Sequence, residues 1–288
     1  MEAKKNKVGL VLEGGGMRGA YTAGALAWMI DNDIKVDYGA GISSGAMHLS
    51  SYFMKSKQYL YDFSVTYVSS KDNIGLRPFL KEGRYVGYRH LFDELVYGQF
   101  HYDTSHLVTK EFEYQFGLYD LDQGDTLFFD ADYLDKEGQA MKAACSLPIA
   151  GNTVNYQGHH YLDGGIKVMI PIEPALNKGC NRNICIITKP HGYVRKKASW
   201  FMRFLMRINY LKYPQIAKDY AVRHIAYNKQ RAICKSEEEA GRCFVLIPSK
   251  NLPVKRFSGD PEALKELYQL GYDDMENRKE ELLTFLNN

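Results

Sequence analysis

One short stretch most constrains what this chain can fold into, a Gly41-x-Ser43-x-Gly45 sequence between an apolar run and a helix-like segment. A strand, a sharp turn carrying serine and then a helix are typical of a nucleophile elbow. Glycine is needed on both sides of the serine because a side chain there would collide with the strained turn. The turn would also present the Ser43 hydroxyl at a helix N-terminus, where the helix dipole favours developing negative charge. The pattern alone is common, so its meaning depends on its surroundings.

A glycine-rich loop lies upstream of this turn. Residues 8–12 predict a buried strand, and residues 20–30 predict a helix whose alanines share one face. Residues 34–40 predict a second strand that leads into the serine turn. The chain therefore opens as strand, glycine loop, helix, strand, serine turn and helix, which predicts a parallel sheet with covering helices. The loop between the first strand and the first helix comprises Gly14, Gly15, Gly16, Met17, Arg18 and Gly19.

The rest of the chain contains enough apolar residues for a large core. Of 288 residues, 45% are hydrophobic and 25% charged, which indicates a globular protein. Residues 55–120 are rich in Tyr and Phe and resist assignment, apart from a helix expected near 59–67 and loops with short helices over 77–100. Further patterns predict strands at 126–129, 183–188 and 243–247, and helices at 138–145, 199–235 with a break at Pro214, and 261–286.

A serine hydroxyl becomes a good nucleophile only when a base accepts its proton, and the resulting oxyanion needs hydrogen-bond donors. The glycine loop supplies unshielded backbone N–H groups at the start of a helix, and Arg18 adds positive charge. Asp163 is the candidate base, because it ends an apolar stretch and precedes Gly164 and Gly165, which would let a substrate approach. Asp-Gly is also a common hairpin turn, so Asp163 gains its meaning from Ser43 and the loop.

At this point the chain resembles the patatin-like phospholipases. The four blocks of that family correspond, in order, to residues 13–19, 41–45, 143–148 and 163–165, spread over residues 7–175. The resemblance implies a three-layer α/β/α sandwich with a mainly parallel sheet and a helical C-terminal extension. It divides the chain into a catalytic core at 7–175 and an extension at 176–288 that completes the sheet and packs on the core.

The same resemblance implies a Ser43–Asp163 dyad without histidine, an oxyanion hole from the glycine loop, and a lipid or other acyl-ester substrate. No metal or cofactor is expected, because backbone donors and Arg18 would polarise the ester. Two positions depart from the family pattern: Glu13 stands where many members have Asp or Ser, and Met169 stands where many have Asn. Both lie beside the proposed chemistry without removing a dyad member.

Three alternatives remain open on the residues alone. The glycine loop also fits a dinucleotide fingerprint, although that fold needs an acidic residue at the end of its second strand and Asp37 comes too early. The order Ser43, Asp163, then His191 or His224 would suit an α/β-hydrolase triad, although only one strand precedes the one leading to Ser43. The six other histidines are expected at surface or loop positions. A lipid- or partner-binding module of the same fold without activity is the third alternative.

Charge is distributed unevenly along the chain. Between Lys189 and Lys235 there are twelve Lys or Arg residues and a single acidic residue, Asp219, whereas the whole chain has a net charge of only +3. Within this segment, Arg203 and Arg207 share a helical face among large apolar side chains. Two interpretations follow: residues 195–212 dock on anionic membranes, or the helix is buried on the sheet with its arginines paired to acidic residues. No nucleic-acid-binding motif accompanies the charge, so nucleic acid is not an expected partner.

The sequence also predicts a compartment. The apolar run near the N-terminus is too short for a signal-peptide core, and no run approaches the roughly 20 apolar residues of a membrane span. The chain has five cysteines, an odd number, and no CxxC pair. This pattern suggests neither a disulfide framework nor a zinc site, which favours a reducing environment. A cytoplasmic protein with a peripheral membrane contact is the expectation.

Overall fold

The computed structural model describes residues 6–257 and 260–287 of the chain. Eight strands form one mixed sheet in the order β5-β6-β3-β2-β1-β7-β8, with β4 paired to β3. The strands are β1 (Val8–Leu12), β2 (Tyr38–Gly41), β3 (Glu113–Asp120), β4 (Asp125–Asp130), β5 (Val154–Tyr156), β6 (His159–Asp163), β7 (Arg182–Ile186) and β8 (Cys243–Leu246).

The central strands β3, β2, β1, β7 and β8 are parallel, whereas β4, β5 and β6 add antiparallel pairs at the β3 side. Leu12 of β1 lies opposite Gly41 of β2, so the segments that follow both residues leave the sheet side by side at the carboxyl edge. That edge is where open α/β sheets build their binding sites.

Helices cover both faces of the sheet. Leu10 and Leu12 point into a core formed with α1, α2 and α9, whereas the alternating Val11 points into a second core beneath α6 and α8. The helices are α1 (Gly19–Asp31), α2 (Ser44–Phe53), α3 (Lys57–Tyr61), α4 (Leu76–Glu82), α5 (Gln139–Cys145), α6 (Ile172–Asn177), α7 (Trp200–Asn209), α8 (Pro214–Glu239), α9 (Pro261–Asn277) and α10 (Lys279–Asn287). The chain is thus the three-layer α/β/α sandwich that the resemblance implied.

Several elements differ from the sequence expectations. The strand β3 was not predicted, because it lies in the Tyr- and Phe-rich region that resisted assignment. Its Tyr114, Phe116 and Leu118 do alternate with polar residues and glycine, as in a strand. The predicted strand 34–40 shortens to β2. The poorly patterned region contains two π-helical segments, Asp62–Thr66 and Arg89–Gln99. The expected helix 261–286 breaks at Arg278, whose guanidinium donates to the Val245 carbonyl at 2.6 Å.

Among the described residues, no helix is both long enough and apolar enough to cross a membrane.

Candidate active site

Ser43 occupies the sharp turn between β2 and α2. Its backbone angles are φ 57° and ψ −131°, a strained combination for a residue with a side chain. The flanking glycines are required by close approaches. A Cβ on Gly41 would lie 2.6 Å from the Ala46 backbone nitrogen, and a Cβ on Gly45 would lie 2.7 Å from the Leu12 carbonyl oxygen. The turn therefore has the geometry of a nucleophile elbow.

The glycine loop lies directly over this turn. A Cβ on Gly14 would come within 3.0 Å of the Ser43 Cβ, and the Gly15 N–H donates to the Ser44 hydroxyl at 3.1 Å. Ser44 thus holds the loop, whereas Ser43 points into the cleft that the loop borders. Gly19, at the start of α1, leaves no room for a side chain against Ser44 and His48.

Only part of the loop has free backbone donors. The Gly14 N–H donates to the Met169 carbonyl at 3.2 Å, and the Met17 N–H donates to the Arg256 carbonyl at 3.1 Å. The Gly16 N–H has no hydrogen-bond acceptor within residues 6–257 and 260–287. Gly16 has φ +58°, and a Cβ there would lie 2.6 Å from the Arg256 carbonyl oxygen, so this position needs glycine.

Asp163 ends β6 beside Ser43 and is 1% exposed. Its Oδ1 accepts a hydrogen bond from the Gly165 N–H at 2.7 Å, whereas Oδ2 has no partner of normal geometry in the described chain. Burial raises the pKa of this carboxyl, and the Ser43 hydroxyl, the Gly165 N–H and two nearby cations, Arg256 and Arg223, partly counter that rise. The structure therefore brings together the two predicted dyad residues, with one carboxylate oxygen left available.

The Asp-Gly-Gly turn is tightly packed. A Cβ on Gly164 would lie 2.6 Å from the Gly117 carbonyl oxygen. The Gly165 carbonyl accepts a hydrogen bond from Arg223 Nε at 2.6 Å. Arg223 lies on α8, and neither it nor Arg256 was singled out by the sequence, because no local motif marks either position.

Two cavities meet at Ser43. One, of about 220 Å³, contains both dyad residues together with Gly14, Gly15, Gly16, Arg223 and Arg256. The other opens to solvent and has a mainly apolar lining. Its apolar lining residues include Met17, Met47, Phe63, Val68, Ile74, Val86, Leu91, Phe92, Leu147 and Phe257.

The two positions that depart from the family pattern have structural partners. Glu13 is buried, and its Oε2 accepts hydrogen bonds from the backbone N–H and the hydroxyl of Thr188, at 2.6 and 3.0 Å. The Met169 and Ile170 N–H groups both donate to Gln230 Oε1, at 3.0 and 3.1 Å. Both positions thus connect the carboxyl edge of the sheet to later parts of the chain.

The structure also tests the two alternatives of a dinucleotide site and a histidine triad. Asp37 accepts a hydrogen bond from the Val8 N–H at the opposite edge of the sheet from the glycine loop, so it is not placed to hold a ribose there. His191 is exposed in the loop after β7, and His224 is partly buried on α8. Within the described residues, neither forms a hydrogen bond or ion pair with Asp163.

The expectation that His48 lies at the surface or in a loop is wrong. It lies on α2 with 3% exposure, and burial lowers its pKa to about 4, so it is neutral at pH 7. It lines the apolar pocket beside Ser44.

A possible metal group lies elsewhere. Asp120, Asp122 and His159 place three ligand atoms close together, but His159 begins β6 whereas Asp163 ends it. Asp120 Oδ1 already accepts N–H bonds from Asp122 and Gln123, at 2.8 and 3.0 Å. This group is therefore separate from the dyad, and Asp120 stabilises the turn that follows β3.

Comparison with known proteins identifies the family of this chain. Residues 10–176 match the model for the patatin-like phospholipases, and residues 213–287 match a model described as a domain of unknown function (DUF6363). The uncharacterized protein YjjU of Escherichia coli (strain K12) is 24% identical over 279 residues, covering 92% of this chain and 75% of YjjU. The crystal structure of VipD from Legionella pneumophila aligns with a TM-score of 0.47 at 11% identity, covering 96% of this chain and 67% of VipD. Since the family model spans more than half of the residues, the chain belongs to the patatin-like phospholipase family.

Proposed function

We propose that this protein is a serine acyl hydrolase that cleaves lipid acyl esters with Ser43 and Asp163. The observation that carries the proposal is the strained Ser43 beside a buried carboxylate that retains one unpaired oxygen. A serine in this setting has a base to accept its proton, and the loop above it offers an N–H donor that is not otherwise used.

The chemistry follows from these positions. Ser43 Oγ attacks the ester carbonyl carbon while Asp163 accepts the hydroxyl proton. The negative charge that develops on the carbonyl oxygen is stabilised by the Gly16 N–H. Arg18, which was expected in this role from the sequence, instead lines a separate pocket, and Arg256 is the cation that borders both cavities at Ser43. The tetrahedral intermediate collapses, the carbon–oxygen bond to the alcohol breaks, and the alcohol leaves with the proton from Asp163. Water, deprotonated by Asp163, then attacks the acyl carbon. The bond from that carbon to Ser43 Oγ breaks, Asp163 returns the proton to this oxygen, and the fatty acid is released.

The large apolar pocket supports a lipid substrate. It adjoins Ser43 and presents aromatic and aliphatic side chains, as expected for a site that takes an acyl chain out of water. A histidine triad has less support, since Asp163 is not paired with His191 or His224 in the described chain. A module that binds lipid without turnover would use the same pocket, so activity has to be measured.

We also infer that α7 contacts membranes. Its residues Trp200 and Phe204 are exposed, and so is Leu211 just beyond its end, on a helix that also carries Arg203 and Arg207. The end of this helix is tied to the site, because Tyr210 Oη accepts a hydrogen bond from the Ile149 N–H at 3.1 Å. Leu147, two residues earlier, lines both cavities at Ser43. Docking of α7 would thus bring the apolar pocket close to the lipid.

Fluorophosphonate labelling tests the nucleophile. We expect the wild-type protein to be labelled and to hydrolyse a short-chain p-nitrophenyl ester, and Ser43→Ala to lose labelling and at least about 10³-fold in turnover. Ser44→Ala is the matched control and should keep measurable activity, because it removes only an acceptor for the Gly15 N–H. Labelling that persists in Ser43→Ala, or an inert wild-type protein, would refute the proposal.

A further inference from the structure

Five cationic side chains gather at the carboxyl edge of the sheet, around the glycine loop and the dyad. Within residues 6–257 and 260–287, none of the five forms a salt bridge, although seventeen such pairs occur elsewhere in this part of the chain. The charges come from the glycine loop, the loop after β7, α8 and the loop before α9. We call them the basic cluster: Arg18, Lys189, Arg195, Arg223 and Arg256.

The members of the basic cluster lie close enough to repel one another. Burial, then the charge of Arg18, lowers the pKa of Lys189 to about 7, and Arg195 and Arg256 add to the decrease. Burial, then the charges of Arg256 and Arg195, lowers the pKa of Arg223. The carboxylates nearby are Glu13, which is bonded to Thr188, and the catalytic Asp163. Without a bound anion, the cleft therefore holds an excess of positive charge.

Several of these cations are held in place with donors unused. Arg195 lies over the Tyr227 ring at 4.6 Å, and Lys189 lies over the Tyr193 ring at 4.9 Å. The Nε atoms of Arg18 and Arg195 are buried and have no acceptor in the described chain. Buried polar atoms are normally hydrogen-bonded, so these guanidinium donors are available to an acceptor that enters the cleft. Phosphate oxygens match the planar donor array of arginine especially well.

The polarity differs on the two sides of the glycine loop. Met17 lines the apolar pocket, whereas the next residue, Arg18, lines a separate pocket of about 640 Å³ together with Lys189 and Lys250. Arg256 borders both the apolar pocket and the dyad cavity. An ester bound at Ser43 with its acyl chain in the apolar pocket would therefore place its alcohol part in the dyad cavity, beside Arg223 and Arg256 of the basic cluster.

We propose that the basic cluster binds a phosphate group on the alcohol side of the ester, so that the enzyme selects acyl esters with a net anionic, phosphate-bearing leaving group. This inference rests on the hydrolase activity proposed above. A zwitterionic headgroup gains less binding free energy from the cluster. Its cationic part finds no free carboxylate there, because Glu13 and Asp163 are buried and already engaged. A neutral glycerol ester gains nothing from the cluster.

The test uses short-chain esters below their micellar concentrations, so that membrane attraction through α7 does not contribute. Hydrolysis is compared for three esters with the same acyl chain: an acyl glycerol, an acyl glycerophosphate and an acyl glycerophosphocholine. We expect kcat/KM for the acyl glycerophosphate to exceed that for the acyl glycerol by about tenfold or more, as expected for a charge-assisted hydrogen bond. The phosphocholine ester should fall between them.

Two variants test whether the basic cluster causes the preference for the anionic ester. Lys189→Met and Arg195→Met should each reduce the ratio of anionic to neutral kcat/KM several-fold, as measured on the same preparation. Lys35→Met makes the same change at an exposed lysine that precedes β2, at the opposite edge of the sheet, and should keep the wild-type ratio. If a variant does not fold, the wild-type comparison of the three esters still decides the question.

Inorganic phosphate distinguishes a bound headgroup from a free anion. We expect phosphate to compete with the acyl glycerophosphate and to inhibit the acyl glycerol ester less. Phosphate binding without any preference among the three esters would overturn the assignment to the leaving group. Equal hydrolysis of all three esters would refute the inference while leaving the hydrolase intact, whereas no hydrolysis of any ester would contradict the proposed function itself.

Discussion

At the residue scale, the environment of Asp163 determines how the site would respond to mutation and pH. Its buried carboxyl has one oxygen bonded to the Gly165 N–H and the other unpaired. Burial favours the neutral form, whereas Arg256 and Arg223 favour the charged form that a general base requires. The two arginines therefore favour the charged form of this carboxyl, which its proposed role as a base requires.

Asp163→Asn should abolish ester hydrolysis without unfolding the protein. Asparagine has the same shape and can still accept the Gly165 N–H bond, but it cannot take a proton from Ser43. His191→Ala and His224→Ala serve as controls and should stay within about tenfold of wild type, since losing a general base costs 10²–10⁴. Thermal melts would verify folding. A near-total loss in either histidine variant would instead support a triad.

The dependence of kcat/KM on pH should reflect the pKa of Asp163. Because burial raises the pKa of Asp163, we expect kcat/KM for a neutral ester to begin falling at a higher pH than an ordinary aspartate would produce. Arg256→Met removes a charge that lowers this pKa, so the acidic limb should move to still higher pH. A limb that stays in place in Arg256→Met would contradict the role given to this arginine.

At the element scale, α7 is the clearest case where the sequence left two interpretations open. Its apolar residues could have been buried against the sheet, but Trp200 and Phe204 are 72% and 50% exposed. Met206 is the only fully buried residue of the helix. Arg203 and Arg207 form no salt bridges within the described residues, so the pairing that the buried interpretation required does not occur there. The exposed apolar face fits a helix that lies in a membrane interface.

Vesicle co-sedimentation tests this helix. The wild-type protein should bind vesicles containing anionic lipid, bind neutral vesicles weakly, and lose binding as salt shortens the Debye length. Arg203→Glu/Arg207→Glu should reduce binding strongly, because each basic residue near anionic lipid contributes about 1 kcal/mol. Lys35→Glu/Lys55→Glu makes the same charge change at exposed lysines elsewhere and should bind like wild type. Equal binding to neutral vesicles would rule out the electrostatic part of this model.

At the scale of the whole molecule, the segment matched by the patatin-like model and the chain that follows it are closely joined. Strands β7 and β8, which follow residue 176, extend the sheet next to β1, and α9 packs on α1. The helices cross closely at two glycines: a Cβ on Gly24 would lie 1.8 Å from the Tyr268 carbonyl oxygen, and a Cβ on Gly271 would lie 2.0 Å from the Tyr21 carbonyl oxygen. Arg223 and Arg256 reach the dyad from this later part of the chain. The division at residues 175 and 176 stays a prediction, since both parts build one sheet and one site.

Gly271→Ala should destabilise the protein. The added methyl group would overlap backbone atoms of α1, and overpacking of this kind costs at least about 1–3 kcal/mol. Glu266→Ala, on the exposed side of the same helix, is the control and should have little effect. Chemical denaturation would measure the difference. A stable Gly271→Ala protein would show that α9 can shift on α1 without cost.

The sequence by itself determined the elements that depend only on neighbouring residues. The glycines beside Ser43, the buried run of β1 and the Asp-Gly-Gly turn were all readable, because each depends on backbone strain or on a short apolar pattern. The order of these elements also predicted a parallel sheet with covering helices, and the family resemblance implied the three layers. The dyad roles of Ser43 and Asp163 were predicted together with the fold, and they stay predictions until activity is measured.

Only the tertiary structure decided which distant residues share the catalytic edge. The alternating Tyr114, Phe116 and Leu118 of β3 were present in the sequence, but the burial of both faces of this strand is evident only in the folded chain. His48, Arg223 and Arg256 were missed as site residues because side chains far apart in the chain converge there only after the sheet and α8 are in place. The exposure of α7 was likewise undecided, since an apolar stripe looks the same in sequence whether it meets a core or a membrane. Local patterns determine what each segment can form, but burial and charge balance depend on neighbours that only the folded chain supplies.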